Sequence, residues 1–285
     1  MSWDKLIKEN KPLVIVGTIN AYSALLAERA GIQAIYISGG GVANASYGLP
    51  DLAMTSREDV LEDVRRIRSA TKLPLLVDID TGWGSALSIS RTIKEMIAAG
   101  ASGVHIEDQV SEKRCGHRPN KEIVSCEEMV DRVKAAKDAQ TDDNFLLMAR
   151  TDAFAKGGLQ EVIDRSNAFI EAGAGAIFPE AISKLKDYEE ISKNVSKPIL
   201  ANITEFGMTP LFSHNDLADA GVKIVLHPLS AFRAMSKAAE KVYATLASGG
   251  DHEGLLDKMQ TRDELYDVLD YHMYEEKIDK LFEKN

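Results

Sequence analysis

The chain contains only two cysteines, Cys115 and Cys126. Two thiols cannot build the disulfide framework that small secreted domains rely on, so a reducing, cytoplasmic compartment is the expectation. A mitochondrial matrix, reached before removal of a transit peptide, stays open as an alternative. No apolar run approaches the roughly 20 residues that a membrane span needs. Met1 to Asn10 is charged and lacks the apolar centre of a signal peptide. Positive charge is the scarcer sign, with 34 Lys and Arg against 44 Asp and Glu and a net charge of −10. That balance argues against a nucleic-acid binder or a basic membrane-surface protein. No GxGxxG follows the first candidate strand, which removes the signature of an open dinucleotide-binding sheet.

What is present is ordinary globular material: 285 residues, 45% hydrophobic and 27% charged. One α/β barrel of about 250 residues would use nearly all of it. Ala30-Gly31, Ala99-Gly100, Ala172-Gly173 and Ala220-Gly221 each close an amphipathic stretch. Glycine there reads as a helix end, and the apolar run that follows each one reads as a buried strand. A second boundary uses proline: Lys11-Pro12, Leu73-Pro74 and Lys197-Pro198 precede further apolar runs. Proline suits the first residue of a strand. With Phe145 to Arg150 this predicts eight strands, starting near residues 13, 34, 75, 103, 145, 175, 198 and 222. Leu75 to Asp80 is read as the third of them.

Thr55-Ser56-Arg57-Glu58, Ser125-Cys126-Glu127-Glu128 and Thr261-Arg262-Asp263-Glu264 read as capping boxes; Ser85, Ser183 and Ser213 read as N-caps. Strands alternating with helices imply a parallel sheet, and eight such units imply closure into a (β/α)8 barrel. The expected organisation is a barrel over 1–249 and a charged helical extension over 250–285, packed on the barrel or on a neighbouring subunit.

In a parallel barrel the chemistry lies at the C-terminal ends of the strands. The polar residues expected there are Ser38, Gly39 and Gly40; Asp78 and Asp80; His105, Glu107 and Asp108; Arg150 and Asp152; Glu180; Asn202 and Thr204; and His227 with Arg233. Burying them without partners is costly, so their convergence is informative. In Asp78-Ile79-Asp80, strand alternation puts both carboxylates on one side, with Cα atoms about 6.5 Å apart. Two carboxylates facing one cavity need a proton or cation between them, and hard oxygen ligands suit Mg²⁺, or Mn²⁺ in its place. Glu107 is a candidate to orient metal-bound water from outside the ligand set.

Lys113-Arg114-Cys115-Gly116-His117-Arg118-Pro119-Asn120-Lys121 concentrates cations in an acidic protein. Cationic neighbours are expected to lower the Cys115 thiol pKa and to hold a polyanionic substrate. Lys113 and His117 are catalytic candidates with Cys115, and Gly116 permits the bending of a closing loop. Cys126 is expected to pack. Ser38-Gly39-Gly40-Gly41 can form an anion-binding nest, and Arg150 and Arg233 can clamp carboxylates. For His105 and His227 a satisfied core histidine is the alternative. Asp108, Asp152 and Trp83 are read as scaffold.

Lys113-Arg114-Cys115-Gly116-His117 resembles the KKCGH/KRCGH signature of the isocitrate lyase and phosphoenolpyruvate mutase superfamily. Ser38-Gly39-Gly40, Gly48-Leu49-Pro50-Asp51, Val77 to Gly82, Ala149-Arg150-Thr151-Asp152 and Asn202-Ile203-Thr204-Glu205 match it too. The resemblance covers the chain from about residue 10 onward. The short length, Arg114 and the extended Arg118 to Lys121 resemble those members that cleave 2-methylisocitrate to pyruvate and succinate. The resemblance implies a Mg²⁺-dependent lyase of the methylcitrate cycle, which serves propionate catabolism. It also implies a last helix exchanged between subunits, usually in a tetramer. It implies metal ligands Asp78 and Asp80. The substrate ligands it implies are Ser38, Gly39, Gly40, Cys115, Gly116, Arg150, Glu180, Asn202, Ile203, Thr204, Arg233 and Arg262. The base is open among Tyr36, Asp51 and a metal-bound group. Phe178, Leu226 and Pro228 are expected to receive the extra methyl. An isocitrate lyase, another activity of the superfamily, and a non-enzymatic metal-binding barrel scaffold are the alternatives.

Overall fold

A computed structural model describes residues 2–117, 121–250 and 253–283. Arg118, Pro119 and Asn120, named above with the cationic segment, lie outside the described residues. Eight parallel strands follow in chain order: β1 (Leu13–Gly17), β2 (Ile35–Ile37), β3 (Leu75–Asp78), β4 (Gly103–Glu107), β5 (Leu146–Thr151), β6 (Ala176–Pro179), β7 (Leu200–Asn202) and β8 (Ile224–His227). Hydrogen-bonded neighbours run β6-β5-β4-β3-β2-β1-β8-β7. A parallel bridge between Ile177 and Ile199 joins the two ends, so the sheet is a nearly closed (β/α)8 barrel. Each strand begins within two residues of its expected start.

The glycine boundaries behave as their chemistry requires. Gly31, Gly100, Gly173 and Gly221 all have φ between +86° and +118°, a region an L side chain avoids. Three of the expected caps need correction. Ser56, not Thr55, caps helix Arg57–Ala70, with Asp59 as its reciprocal partner. Ser125 accepts from the Glu128 N–H without a return bond. Helix Leu185–Asn194 is capped at Lys184 rather than Ser183, because its first turn begins one residue later. Ser85 stands at its N-cap without a side-chain bond, whereas Ser213 and Thr261 cap as expected.

Strand alternation divides the core in two. One set of side chains faces the surrounding helices. The other fills the barrel and includes Leu13, Ile15, Tyr36, Leu76, Met148, Phe178, Leu200, Ile224 and Leu226. Helix Trp3–Glu9 contributes Trp3 and Leu6 to this inner cluster, and the Trp3 indole N–H donates to the Ser102 carbonyl at 2.8 Å, at the foot of β4. Each fully buried side chain of this size is worth about 1.5–3 kcal/mol.

The described chain divides into two compact units between Phe232 and Arg233. The second is helical. It holds most of helix Ser230–Ala247, a 3₁₀ turn at Glu253–Lys258, and helices Arg262–Val268 and Tyr271–Phe282. The Tyr266 and Tyr271 rings stack at 4.1 Å. Among the described residues no helix is long and apolar enough to cross a membrane.

Candidate active site

The inward set changes character along the strands. In β3 it passes from Leu76 to Asp78, in β4 from Gly103 to His105 and Glu107, in β5 from Met148 to Arg150, in β6 from Phe178 to Glu180 beyond its end, and in β7 from Leu200 to Asn202. A two-residue period thus carries ionisable side chains into the same space as the apolar core, one layer higher. Asp78, His105, Glu107, Arg150, Glu180 and Asn202 are all buried. A separate cavity of about 870 Å³ beside Lys11, Lys197 and Lys223 lies at the opposite ends of the strands and includes none of them.

Asp80 does not reach the site by strand alternation. β3 ends at Asp78, and Asp80 follows in a turn with φ +47°. The Asp78 carboxylate fixes that turn by accepting the Asp80 N–H at 3.0 Å, and it also accepts the Gly39 N–H at 3.0 Å. An aspartate tolerates this backbone better than most residues. A Cβ on Gly39 would lie 3.1 Å from Asp80 Oδ1 and 3.2 Å from Asp78 Oδ2, so two carboxylate oxygens converge where glycine leaves room. The Gly39 N–H that sequence reading offered to an anion is therefore engaged by Asp78.

The donor set fits a hard divalent cation. Both converging atoms are carboxylate oxygens, and Asp80 Oδ1 is buried without a hydrogen bond; Lys113 Nζ, 2.8 Å away, pairs with it by charge. Among the described residues no three His, Cys, Asp or Glu gather as a metal cluster. Mg²⁺ is usually held by one or two carboxylates, with water or substrate completing its shell. Burial opposes ionisation of Asp78, but His105, Lys113, Arg150 and the Asp80 N–H outweigh it and hold its carboxyl at about 2. Burial lowers His105 itself to about 4, so near neutrality the effect on Asp78 falls to Lys113, Arg150 and the N–H. Burial raises Asp80 to about 6, with Lys113 opposing and Asp78 adding to the rise. The Tyr36 hydroxyl lies 2.9 Å from His105 Nε2 and donates to Asp78 Oδ2 at 3.4 Å. Burial and the Asp78 charge raise its phenol well above the usual range, which makes it a hydrogen-bond donor and disfavours it as the base.

The loop after β4 corrects one expectation directly. The Cys115 thiol is raised, not lowered: burial leads, the His117 N–H opposes it, and Asp51 and Glu180 add to it. Burial decides the direction, and the nearby lysines do not offset it because carboxylates engage them. Lys113 Nζ lies 2.5 Å from Asp51 and 2.8 Å from Asp80, and Lys121 pairs with Asp152. Gln109, which sequence reading missed, pins this loop. It donates to Glu107 Oε1 and to the Arg114 carbonyl, both at 2.9 Å, and accepts the Arg114 N–H. Its only sequence signal is its place two residues beyond Glu107.

Arg150 is the hub of the second half of the site. Its Nε lies 2.9 Å from Asp152 and 3.3 Å from Glu107, and its Nη2 3.3 Å from Glu180. The guanidinium sits over the Phe178 ring, 5.1 Å from its centre. His117 Nδ1 accepts the Met208 N–H at 3.0 Å, which places its proton on Nε2, 3.1 Å from Glu180. Burial opposes the Glu180 charge, but Arg150 and His117 outweigh it and hold the carboxyl well below the usual range. Asn202 Oδ1 is buried and unpaired. A Cβ on Gly116 would lie 2.4 Å from Arg150 Nη2 and 2.6 Å from Glu180 Oε2. We therefore expect Gly116→Ala to push this ion pair apart, lowering stability by about 1–3 kcal/mol and cutting kcat/KM with it. Thermal melts and steady-state kinetics check this, and unchanged values in both would refute the close packing.

Asp51 borders the same space, 3.1 Å from the Cβ position of Gly40. Ser38 is half-buried at the end of β2, and Ile203 and Thr204 are buried beyond β7. Asp108 is scaffold, as expected: it accepts from Thr151 Oγ1, the Asp152 N–H and Arg165. Asp152 does more, because it shares Lys121 and Arg150. His227 pairs with His214 at 2.9 Å. Arg233 and Arg262 are exposed residues of the second unit.

A barrel with buried carboxylates, one arginine hub and a thiol-bearing loop at its C-terminal face defines a class of enzymes. The phosphoenolpyruvate phosphomutase family model matches residues 4–247, and the chain belongs to that family. It is 61% identical to 2-methylisocitrate lyase of Vibrio cholerae over 97% of this chain and 92% of the relative. Among solved structures, phosphoenolpyruvate phosphomutase from Streptomyces platensis superposes with a TM-score of 0.90 at 28% identity, covering 99% of this chain and 98% of that one. A phosphonopyruvate hydrolase bound to oxalate and Mg²⁺ gives a TM-score of 0.84 at 28% identity, with 98% and 97% covered.

Proposed function

We propose that this chain cleaves 2-methylisocitrate to pyruvate and succinate. The observation that carries the reading is the pairing of a protonated thiol, Cys115, with a carboxylate-lined floor in a chain 61% identical to a protein of that activity. Arg150 and Asn202 hold substrate carboxylates, with the Ser38-Gly39-Gly40 turn, Gly116, Glu180, Ile203 and Thr204 completing the contacts. Asp51, bordering the floor, accepts the proton of the tertiary hydroxyl. As the carbon–carbon bond breaks, charge develops on the succinate half, and Cys115 protonates that carbon. Lys113 and His117 position the loop, and Phe178, Leu226 and Pro228 form the apolar wall toward the methyl.

Asp78 and Asp80 would hold Mg²⁺, with Glu107 outside them. Bound there, the ion supplies Lewis-acid stabilisation of developing oxygen charge. Asp78→Ala is expected to abolish stimulation by Mg²⁺ and to weaken metal binding at least tenfold by calorimetry. Activity indifferent to EDTA would contradict the role.

The substrate assignment is tested by offering 2-methylisocitrate and isocitrate and measuring pyruvate against glyoxylate. Higher kcat/KM for isocitrate would overturn it. One methyl discriminates by only about 1–3 kcal/mol, so the ratio and not mere turnover is the result to read.

In this reading residues 1–249 form the catalytic barrel domain, whose last helix is exchanged between the subunits of a homotetramer, and 250–285 a helical extension packed on the barrel or on a neighbouring subunit. Exposed Tyr243, Leu246, Tyr274, Ile278, Leu281 and Phe282 support that a second copy covers these helices. Light scattering gives the mass.

A further inference from the structure

The Lys113 side chain is unusual within the site. It is a buried ammonium, 6% exposed, on a loop residue rather than on a strand. It lies 2.5 Å from Asp51 and 2.8 Å from Asp80. Four carboxylates act on it, those of Asp80, Asp51, Glu107 and Asp78; together they outweigh its burial and hold it charged. Asp80 Oδ1, the atom it approaches, is one of the two that converge beside Gly39. A cation is therefore already present at the focus of the acidic floor, and it belongs to the chain.

We propose that Lys113 is an internal stand-in for the divalent cation, and that its ammonium and the metal exclude one another at Asp80. Building a floor of four carboxylates, three of them buried, without any cation would leave like charges facing each other in a low-dielectric space. The ammonium neutralises part of that charge while the metal is out and keeps the carboxylates converged. When a dication arrives, the two positive centres repel, and Lys113 must leave Asp80. Lys113 stands two residues before Cys115 on the segment that Gln109 ties to Glu107. Metal occupancy therefore also sets the position of the thiol. This inference rests on the proposed metal role of Asp78 and Asp80 and deepens it.

The test is Mn²⁺ binding, followed by calorimetry on the full chain and on Lys113→Gln, with Asp78→Ala as the reference. Lys113→Gln is expected to bind Mn²⁺ at least tenfold more tightly than the wild type and to gain more melting temperature from it. Unchanged or weaker binding in Lys113→Gln overturns the proposal. Should Lys113→Gln be unfolded without metal, the same titration is read by circular dichroism. Folding on addition of Mn²⁺ supports the stand-in, and a chain that stays unfolded in saturating Mn²⁺ refutes it. If wild type and Asp78→Ala bind Mn²⁺ equally, it is the metal assignment itself that fails, whatever Lys113→Gln does.

Discussion

Replacing Cys115 by serine is expected to lower kcat by about 10²–10⁴-fold, the usual contribution of a positioned general acid, while leaving fold stability within about 0.5 kcal/mol. The substitution exchanges one small side-chain atom for another in a half-buried position, so packing changes little. The chemistry changes greatly. A thiol whose pKa burial and the Asp51 and Glu180 charges raise above the ordinary thiol range is protonated at neutrality and can still give up its proton to a carbanion. An alcohol is a far weaker acid. The pH profile carries the distinguishing signature. A proton donor acts below its pKa, so wild-type kcat should fall on the alkaline side, above the ordinary thiol range, and that limb should be absent in the serine variant. Mg²⁺ affinity should be unaltered. Equal turnover in both proteins, or an alkaline limb that survives, would remove Cys115 from the reaction.

The architecture was legible because two strong local rules repeat. Glycine after four alanine-ended stretches and proline before three further strands mark most of the boundaries, and eight apolar runs between them allow little else. The acidic floor was legible for the same reason, since Asp78 and Glu107 stand at strand ends where apolar runs stop. What the sequence concealed is pairing. A run of cations around Cys115 reads as an activating field until Lys113 is seen against Asp51 and Asp80, and Lys121 against Asp152. The pairing partners lie 62, 33 and 31 residues away, beyond any local pattern, and with these cations engaged it is burial that sets the sign of the thiol shift. Asp80 shows the same limit at short range. Its distance from Asp78 suggested strand alternation, whereas a left-handed turn fixed by the Asp78 carboxylate supplies the convergence. Gln109 went unnoticed because an amide at a strand end has no chemical signature until its two partners are known.

Arg150→Ala is expected to destabilise the fold by about 3–5 kcal/mol, the range for removing one partner from a buried ion pair. Each kcal/mol lowers the melting temperature by roughly 2–4 °C in chains of this size, so a fall of roughly 6–20 °C should be seen by calorimetry. Asp152, Glu107 and Glu180 would each lose their shared cation, and Phe178 would lose the group stacked on its ring. The three carboxylates do not respond alike. Glu107 is already raised by burial despite Arg150; it takes up a proton more readily once the arginine is gone and so softens the loss. Glu180 is held well below its usual range by Arg150 and His117. A depressed carboxyl contributes stability that is present above its unfolded pKa of about 4.3 and is lost as pH falls. The gap between wild type and Arg150→Ala should therefore be widest near neutrality and shrink below about pH 4, as protons replace the missing charge. Arg150→Lys should recover only part of the loss, because an ammonium cannot bridge three carboxylates while lying flat on an aromatic ring. A gap of the same size at pH 7 and pH 4 would mean that Arg150 acts through its packing on Phe178, and the charge hub would lose its central place in the site.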